Sequence, residues 1–241
     1  MSNQNYNFDA LIKSITVDKN IFQPNLTSQL SIETAITEIR NNSKVLDLGC
    51  GSGIIGIAVM KNFSNITMYC SDLDKKSIEI TKSNFLQNNL QADIRIGNLF
   101  EPWKEKKFDY IINDVSGISS VIAKRSPWFG DKVPCDSGED GSNLALLIIK
   151  KASTYLTKNG TIQIPLISLS NVKKIVDLAN KNFSEVKIIK SRDWFLPKEM
   201  ESIKDMMYKL KSKNYINFEE KFGKIICTTS IAVCKKPKMQ Q

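Results

Sequence analysis

The sequence predicts an α/β domain: a seven-stranded, mostly parallel sheet with an antiparallel last strand and helices on both faces. Three observations carry this expectation. From Lys44 onward, short apolar runs alternate with helix-like segments, the pattern of a parallel sheet covered on both sides. A glycine-rich turn, Asp47-Leu48-Gly49-Cys50-Gly51-Ser52-Gly53, joins the first of these runs to a helix. The 241 residues suit one large domain able to bury roughly 70–75% of its extended surface.

Residues 1–43 are too short for a substantial separate domain and read as a helical flap ahead of the domain at 44–241. Residues 44–48 (KVLDL) form a buried strand, 53–61 a helix and 66–72 a second strand. Residues 74–88 form a helix with Ile78, Thr81 and Phe85 on one side and Asp74 capping its start. Strands three and four lie at 92–96 and 108–114, and 116–142 is one long loop. A helix at 143–156, strand five at 160–166, a helix at 171–182 and strand six at 186–190 follow. Residues 191–223 are a basic insertion holding a helix at 197–211, with Pro197 where a missing N–H costs little. The insertion is either a lid displaying Trp194, Phe195, Tyr208 and Tyr215 or a helix packed through Met206, Met207 and Leu210. Residues 224–236 alternate enough to be a final edge strand, antiparallel to its neighbour.

Composition narrows the chemistry. The chain has no histidine, which excludes Ser-His-Asp and Cys-His couples and H-E-x-x-H zinc sites. Five cysteines, odd in number and without CxxC spacing, suit reduced thiols in a cytoplasmic protein. The start shows no signal-peptide pattern and no apolar run approaches about 20 residues, so no membrane span is expected. The net charge is +9, and residues 190–241 hold 12 Lys+Arg against 6 Asp+Glu. Such a region can meet nucleic acid or be a solvated lysine-rich surface. No group of residues has metal-ligand spacing. Cys135, with Lys132 nearby, is a weak candidate nucleophile, and Cys50 a packing residue.

The glycine turn carries the sharpest signal. Glycines let backbone approach a ligand closely, and Asp72, 25 positions after Asp47 at the end of the next strand, can hold ribose hydroxyls. Dinucleotide sites place a pyrophosphate on the helix N-terminus. Here a carboxylate precedes the glycines, which suits a ligand bearing an ammonium group and repels a pyrophosphate.

At these residues the sequence resembles the class I S-adenosylmethionine-dependent methyltransferases, with their Rossmann-like sheet. The resemblance implies S-adenosyl-L-methionine as cofactor, with Gly49, Gly51 and Gly53 along its methionine and ribose portion, Asp47 facing its amino group and Asp72 its ribose hydroxyls. Gly97-Asn98-Leu99-Phe100 matches a family segment that usually reads Asp-Leu-Phe, so Asn98 and Leu99 would meet the adenine. Ile21-Phe22-Gln23-Pro24-Asn25-Leu26-Thr27-Ser28, Gly138-Glu139-Asp140-Gly141 and the end of strand four look like the branch of release-factor glutamine methyltransferases of the HemK type. That branch writes Asn-Pro-Pro-Tyr where this chain has Asn113-Asp114-Val115-Ser116.

The resemblance makes Asn113 the group that orients an acceptor nitrogen, while Asp114, a carboxylate that the branch lacks, takes its proton or anchors a cation. Asp114 also reads equally as a turn residue bonding its own backbone. With the aromatic of the motif gone, Ser116, Trp128 and Phe129 are the candidate substrate contacts. The acceptor is a small molecule, a protein side chain or a nucleic-acid base. Intramolecular cyclisation releasing methylthioadenosine, and a non-catalytic cofactor-binding subunit, also stay open. Methyl transfer needs alignment more than strong acid–base help, so a chain without histidine can perform it. Lack of a histidine base tilts the acceptor toward nitrogen.

Overall fold

A computed structural model describes residues 7–19, 21–115, 117–128 and 137–238. Its strands are β1 (Lys44–Leu48), β2 (Thr67–Asp72), β3 (Asp93–Ile96), β4 (Phe108–Asn113), β5 (Leu156–Ile167), β6 (Phe183–Phe195), β7 (Glu219–Lys221) and β8 (Lys224–Pro237). Its helices are α1 (Phe8–Lys13), α2 (Leu26–Glu38), α3 (Ile54–Asn62), α4 (Lys75–Gln87), α5 (Ser120–Ala123), α6 (Asn143–Tyr155), α7 (Val172–Asn182) and α8 (Lys204–Ser212). One sheet runs in the order β3-β2-β1-β4-β5-β8-β6, with β7 paired to β8. The first five strands in that order are parallel, and β8 lies antiparallel to both β5 and β6. The expected α/β architecture holds, with an eighth short strand.

Period-two alternation explains the two cores. In β1, Leu46 and Leu48 join Trp103, Phe108, Ile148 and Ile175 in one cluster that includes residues of α6 and α7. Val45 joins Ile32, Ile57, Phe85 and Tyr110 in a second cluster that draws on α1 to α4. Side chains cap the helices: Asn25 Oδ1 accepts from Thr27 N at the start of α2, and Asp74 Oδ2 accepts from Ser77 N at the start of α4, as expected from the sequence.

Three boundaries differ from expectation. The last strand is not at the edge: β8 sits between β5 and β6, and Ile231, Ala232, Val233 and Cys234 are at most 2% exposed. The physical reason is composition, since β8 offers a near-continuous apolar stretch for two covered faces, whereas β6 alternates lysines with Ile188, which is 59% exposed. Strand β6 is also longer than residues 186–190 and extends to Phe195, which brings Trp194 into the sheet opposite Cys227. Between β6 and β8, the chain makes a 3-10 turn at Lys198–Ile203 before α8 and then a β7–β8 hairpin. The hairpin turns through Phe222 and Gly223, both with positive φ, the combination of a type I′ turn.

Residues 196–223 have a core of their own. Met200, Ile203, Met207, Leu210 and Phe218 pack with Ile118, Ile122 and Ile225. The helix is thus packed through Met207 and Leu210, while Tyr208 is 42% exposed. The interior place of β8 makes a measurable difference. Ile231→Ala should lower unfolding free energy by about 2–5 kcal/mol in urea titrations, whereas Ile188→Ala on exposed β6 should cost under about 1 kcal/mol. Equal effects would contradict this strand order.

Candidate functional site

The parallel strands β1, β2 and β4 end on the same side of the sheet, and the turns that follow them line a cleft of about 180 Å³. Gly49 and Cys50 donate their N–H groups to Ser71 O at 2.9 and 3.0 Å, tying the glycine turn to β2. Gly49 has φ +78°, and a Cβ there would stand 2.7 Å from Val115 Cγ2. Gly51, with φ +54°, has nothing within 4 Å of that position, so the space above it is open cleft. Gly53 lies outside the lining; its role is close packing of α3 against Thr81 and Phe85 of α4.

Asp72 lines the cleft, with Oδ2 accepting from Gly51 N and Oδ1 from Asp74 N, both at 2.9 Å. Burial raises its pKa despite those bonds. Each carboxylate oxygen retains a second lone pair for a ligand hydroxyl. Asn98 and Leu99 line the same cleft after β3.

Asp47 is fully buried beneath the turn, on the side facing α3. Its Oδ2 accepts from Gly56 N at 3.1 Å, while Oδ1 has no hydrogen-bond partner. Burial, reinforced by repulsion from Asp114, pushes its pKa up to about 8. A buried carboxyl oxygen without a donor is costly, so an ammonium group brought close to it would be favoured.

At the end of β4, the two predicted catalytic residues diverge. Asn113 is 1% exposed, with its Oδ1 accepting from Val115 N at 3.1 Å. Asp114 and Val115 are the residues that reach the cleft wall. Asp114 Oδ2 accepts from Ser28 Oγ of α2 at 3.0 Å, and burial pushes its pKa up to about 7 against the opposing effect of that bond. Its partner is therefore another element, rather than the local backbone that a simple turn residue would bond.

Beyond β4, the 138–142 turn is clamped. Asp140 accepts from Ser142 N and Oγ and from Lys174 Nζ, and although partial burial opposes ionisation, these donors hold its pKa low. Trp128 lines a second cavity with Trp194, their rings perpendicular and 5.4 Å apart. Ser116, Phe129, Lys132 and Cys135 lie outside the described residues. Among the described residues no cluster could hold a metal ion, and no helix is long and apolar enough to cross a membrane.

Phe22 and Ser28 line the cleft without having been singled out by sequence reasoning, and Trp194, read there as part of a possible lid, lines the second cavity. The stretch 21–28 gave a signal by resemblance, but which side chains face the cleft depends on how α2 lies across it. Several basic residues of the last 52 are already paired: Lys190 and Arg192 with Glu33, and Lys235 with Glu38, both acids on α2.

The model of the methyltransferase small domain family matches residues 24–114, the segment that runs from the start of α2 to Asp114. The matched segment contains every predicted cofactor residue and both predicted catalytic residues, whereas Trp128 and Trp194 lie beyond it. A release factor glutamine methyltransferase from Clostridium botulinum is 29% identical over 163 residues, covering 62% of this chain and 56% of that protein. A ribosomal protein uL3 glutamine methyltransferase from Francisella tularensis is 29% identical over 132 residues, covering 53% and 42% respectively. The chain thus spans roughly half the length of these relatives. In fold, the T. thermophilus 16S rRNA N2 G1207 methyltransferase in complex with AdoMet and guanosine matches with a TM-score of 0.56 at 15% identity, covering 90% of this chain and 45% of that one. A ribosomal protein L11 methylase from Lactobacillus delbrueckii subsp. bulgaricus matches with a TM-score of 0.51 at 16% identity, covering 87% and 77%. The chain shares its fold with these two structures.

The raised carboxyl of Asp47 has a sign that can be checked. In the unfolded chain it ionises near 3.8, and in the folded chain near 8. Folded protein therefore holds the proton more tightly, and its stabilising effect is fully present below pH 3.8 and is lost as pH rises toward 8. Between these limits stability should fall by up to about 1.4 kcal/mol per pH unit for this one proton. Asp47→Asn should flatten the slope by that amount in urea unfolding from pH 5 to pH 8. An unchanged slope would contradict the assignment.

Proposed function

We propose that the chain is an S-adenosyl-L-methionine-dependent methyltransferase that methylates a nitrogen of a protein side chain or small molecule. The observation that carries this reading is Asp114 in the cleft wall beside the open glycine turn, with Asp47 buried beneath that turn and one of its oxygens lacking any donor. That pair suits a cationic ligand. The cleft also offers Asp72 for hydroxyls and Asn98 with Leu99 for a flat base, so the residues fit this cofactor. When bound, the cofactor supplies an electrophilic methyl group on a sulfonium. The glutamine methyltransferases among the relatives support a nitrogen acceptor.

In this reading Asp47 balances the ammonium of the cofactor and Asp72 receives its ribose hydroxyls. Asp114, poised near pH 7, takes the proton that the acceptor nitrogen loses. Ser28 Oγ steadies the ionised form of Asp114 by donating to Oδ2. Asn113 orients the acceptor through the Asp114-Val115 turn, which its side chain fixes by accepting from Val115 N.

Three outcomes follow from incubating the protein with the cofactor and candidate acceptors and analysing the nucleoside product by mass spectrometry. S-adenosylhomocysteine with a methylated acceptor supports methyl transfer. Methylthioadenosine would redirect the reading to cyclisation of the aminobutyrate arm, and binding without either product would leave a cofactor-binding subunit. Asp114→Asn should lower turnover about 10²–10⁴-fold. Wild-type turnover should rise with pH through about 7, the pKa to which burial brings Asp114, and Ser28→Ala should move that rise to higher pH. Asn113→Ala should reduce turnover while leaving cofactor affinity, read by calorimetry, nearly intact.

A further inference from the structure

Beside the cofactor cleft lies a second cavity of about 190 Å³, and Phe22 lines both. It opens where β5 and β6 end and just past β4: Ile118, Ile167 and Trp194 all contribute. Its roof is the start of α2, with Leu26 and Thr27. Trp128 and Trp194 meet at an interplanar angle of 82°, making a corner in which a flat ring can stack on one indole while meeting the edge of the other. Trp194 is fixed in that orientation because its Nε1 donates to Thr229 Oγ1 at 3.0 Å. Thr229 itself is buried and belongs to β8. Among the described residues, no lining side chain carries a charge. An ionised guest would lose hydration there with no opposite charge in return.

We propose that this cavity is the acceptor subsite, and that it holds an uncharged planar ring of the acceptor next to the nitrogen that reacts. Trp194 and Trp128 select the ring by stacking, and Phe22 forms the partition between ring and cofactor. The inference rests on the functional reading above only in taking the guest to be part of the methyl acceptor. Specificity accordingly comes from β6 and the long loop, both outside the segment matched by the family model.

Tryptophan fluorescence of the full chain tests the proposal directly. The chain has three tryptophans. Trp103 is fully buried and donates to Ser71 Oγ, so quenching by a small solute reports on Trp128 and Trp194. Three isosteric probes separate the cases: benzamide is neutral, benzoate anionic and benzamidine cationic. Benzamide should quench saturably and bind at least about tenfold more tightly than either charged probe. Thr27→Phe fills the cavity while keeping both indoles, and should abolish saturable quenching. Trp194→Phe, which retains a ring, should keep benzamide within about threefold of wild type, whereas Trp194→Ala should lose it.

Equal or tighter binding of benzoate or benzamidine would overturn the proposal, as would wild-type quenching in Thr27→Phe. Calorimetric titration of S-adenosyl-L-methionine into the same samples separates the two readings. Cofactor binding without a saturable benzamide response overturns the subsite alone. A benzamide response without cofactor binding overturns the functional reading and leaves the ring pocket standing.

Discussion

The constraint on which the site depends is the burial of the Asp47 carboxyl near the end of β1, the third strand from the β3 edge, in the parallel part of the sheet. The alternation of β1 turns Leu46 and Leu48 to one core and Asp47 to the other, so a polar group falls where apolar packing demands a hydrophobe. One oxygen is satisfied by the first turn of α3, and that bond fixes the helix start against the sheet. The other has no hydrogen-bond partner. An apolar residue in that place would avoid the cost of a buried carboxyl oxygen without a donor.

Asp114 extends the same constraint to the opposite wall. Burial favours the protonated form of both carboxyls, repulsion from Asp114 adds to it at Asp47, and a cation close to them would reverse that preference. Ser28 reaches Asp114 from α2, so the helix preceding the sheet helps set the charge of the cleft wall. Hydrogen bonds to these two acids thus tie β1 to α3 and β4 to α2 around the cleft.

Much of this was legible in the sequence, for identifiable reasons. Strands β1, β2, β3 and β4 are short, apolar and bounded by turn residues, so their limits came within a residue or two. Gly49, Gly51 and Asp72 line one cleft, because strand ends in a parallel sheet converge on one side. What escaped prediction involves contacts between distant stretches. That β8 inserts between β5 and β6 is a matter of pairing, which alternation within one strand does not encode. The meeting of Trp128 with Trp194 spans α6, β5, α7 and most of β6, while the inward turn of Asn113 is a local choice of side-chain direction, fixed by the amide of Val115. The excess of basic residues also looked freer than it is, since three of them are held by acids on α2.

The interior place of β8 carries a consequence for the order of assembly. Strand β6 finds its sheet partner only in residues 224–237, made after β6 and the packed segment that follows it. During synthesis the glycine turn and the four strands around it can close while β6 still lacks a neighbour. The wall bearing Trp194 would be among the last parts of the molecule to form. The glycine turn could therefore take its final shape before the second cavity has its walls.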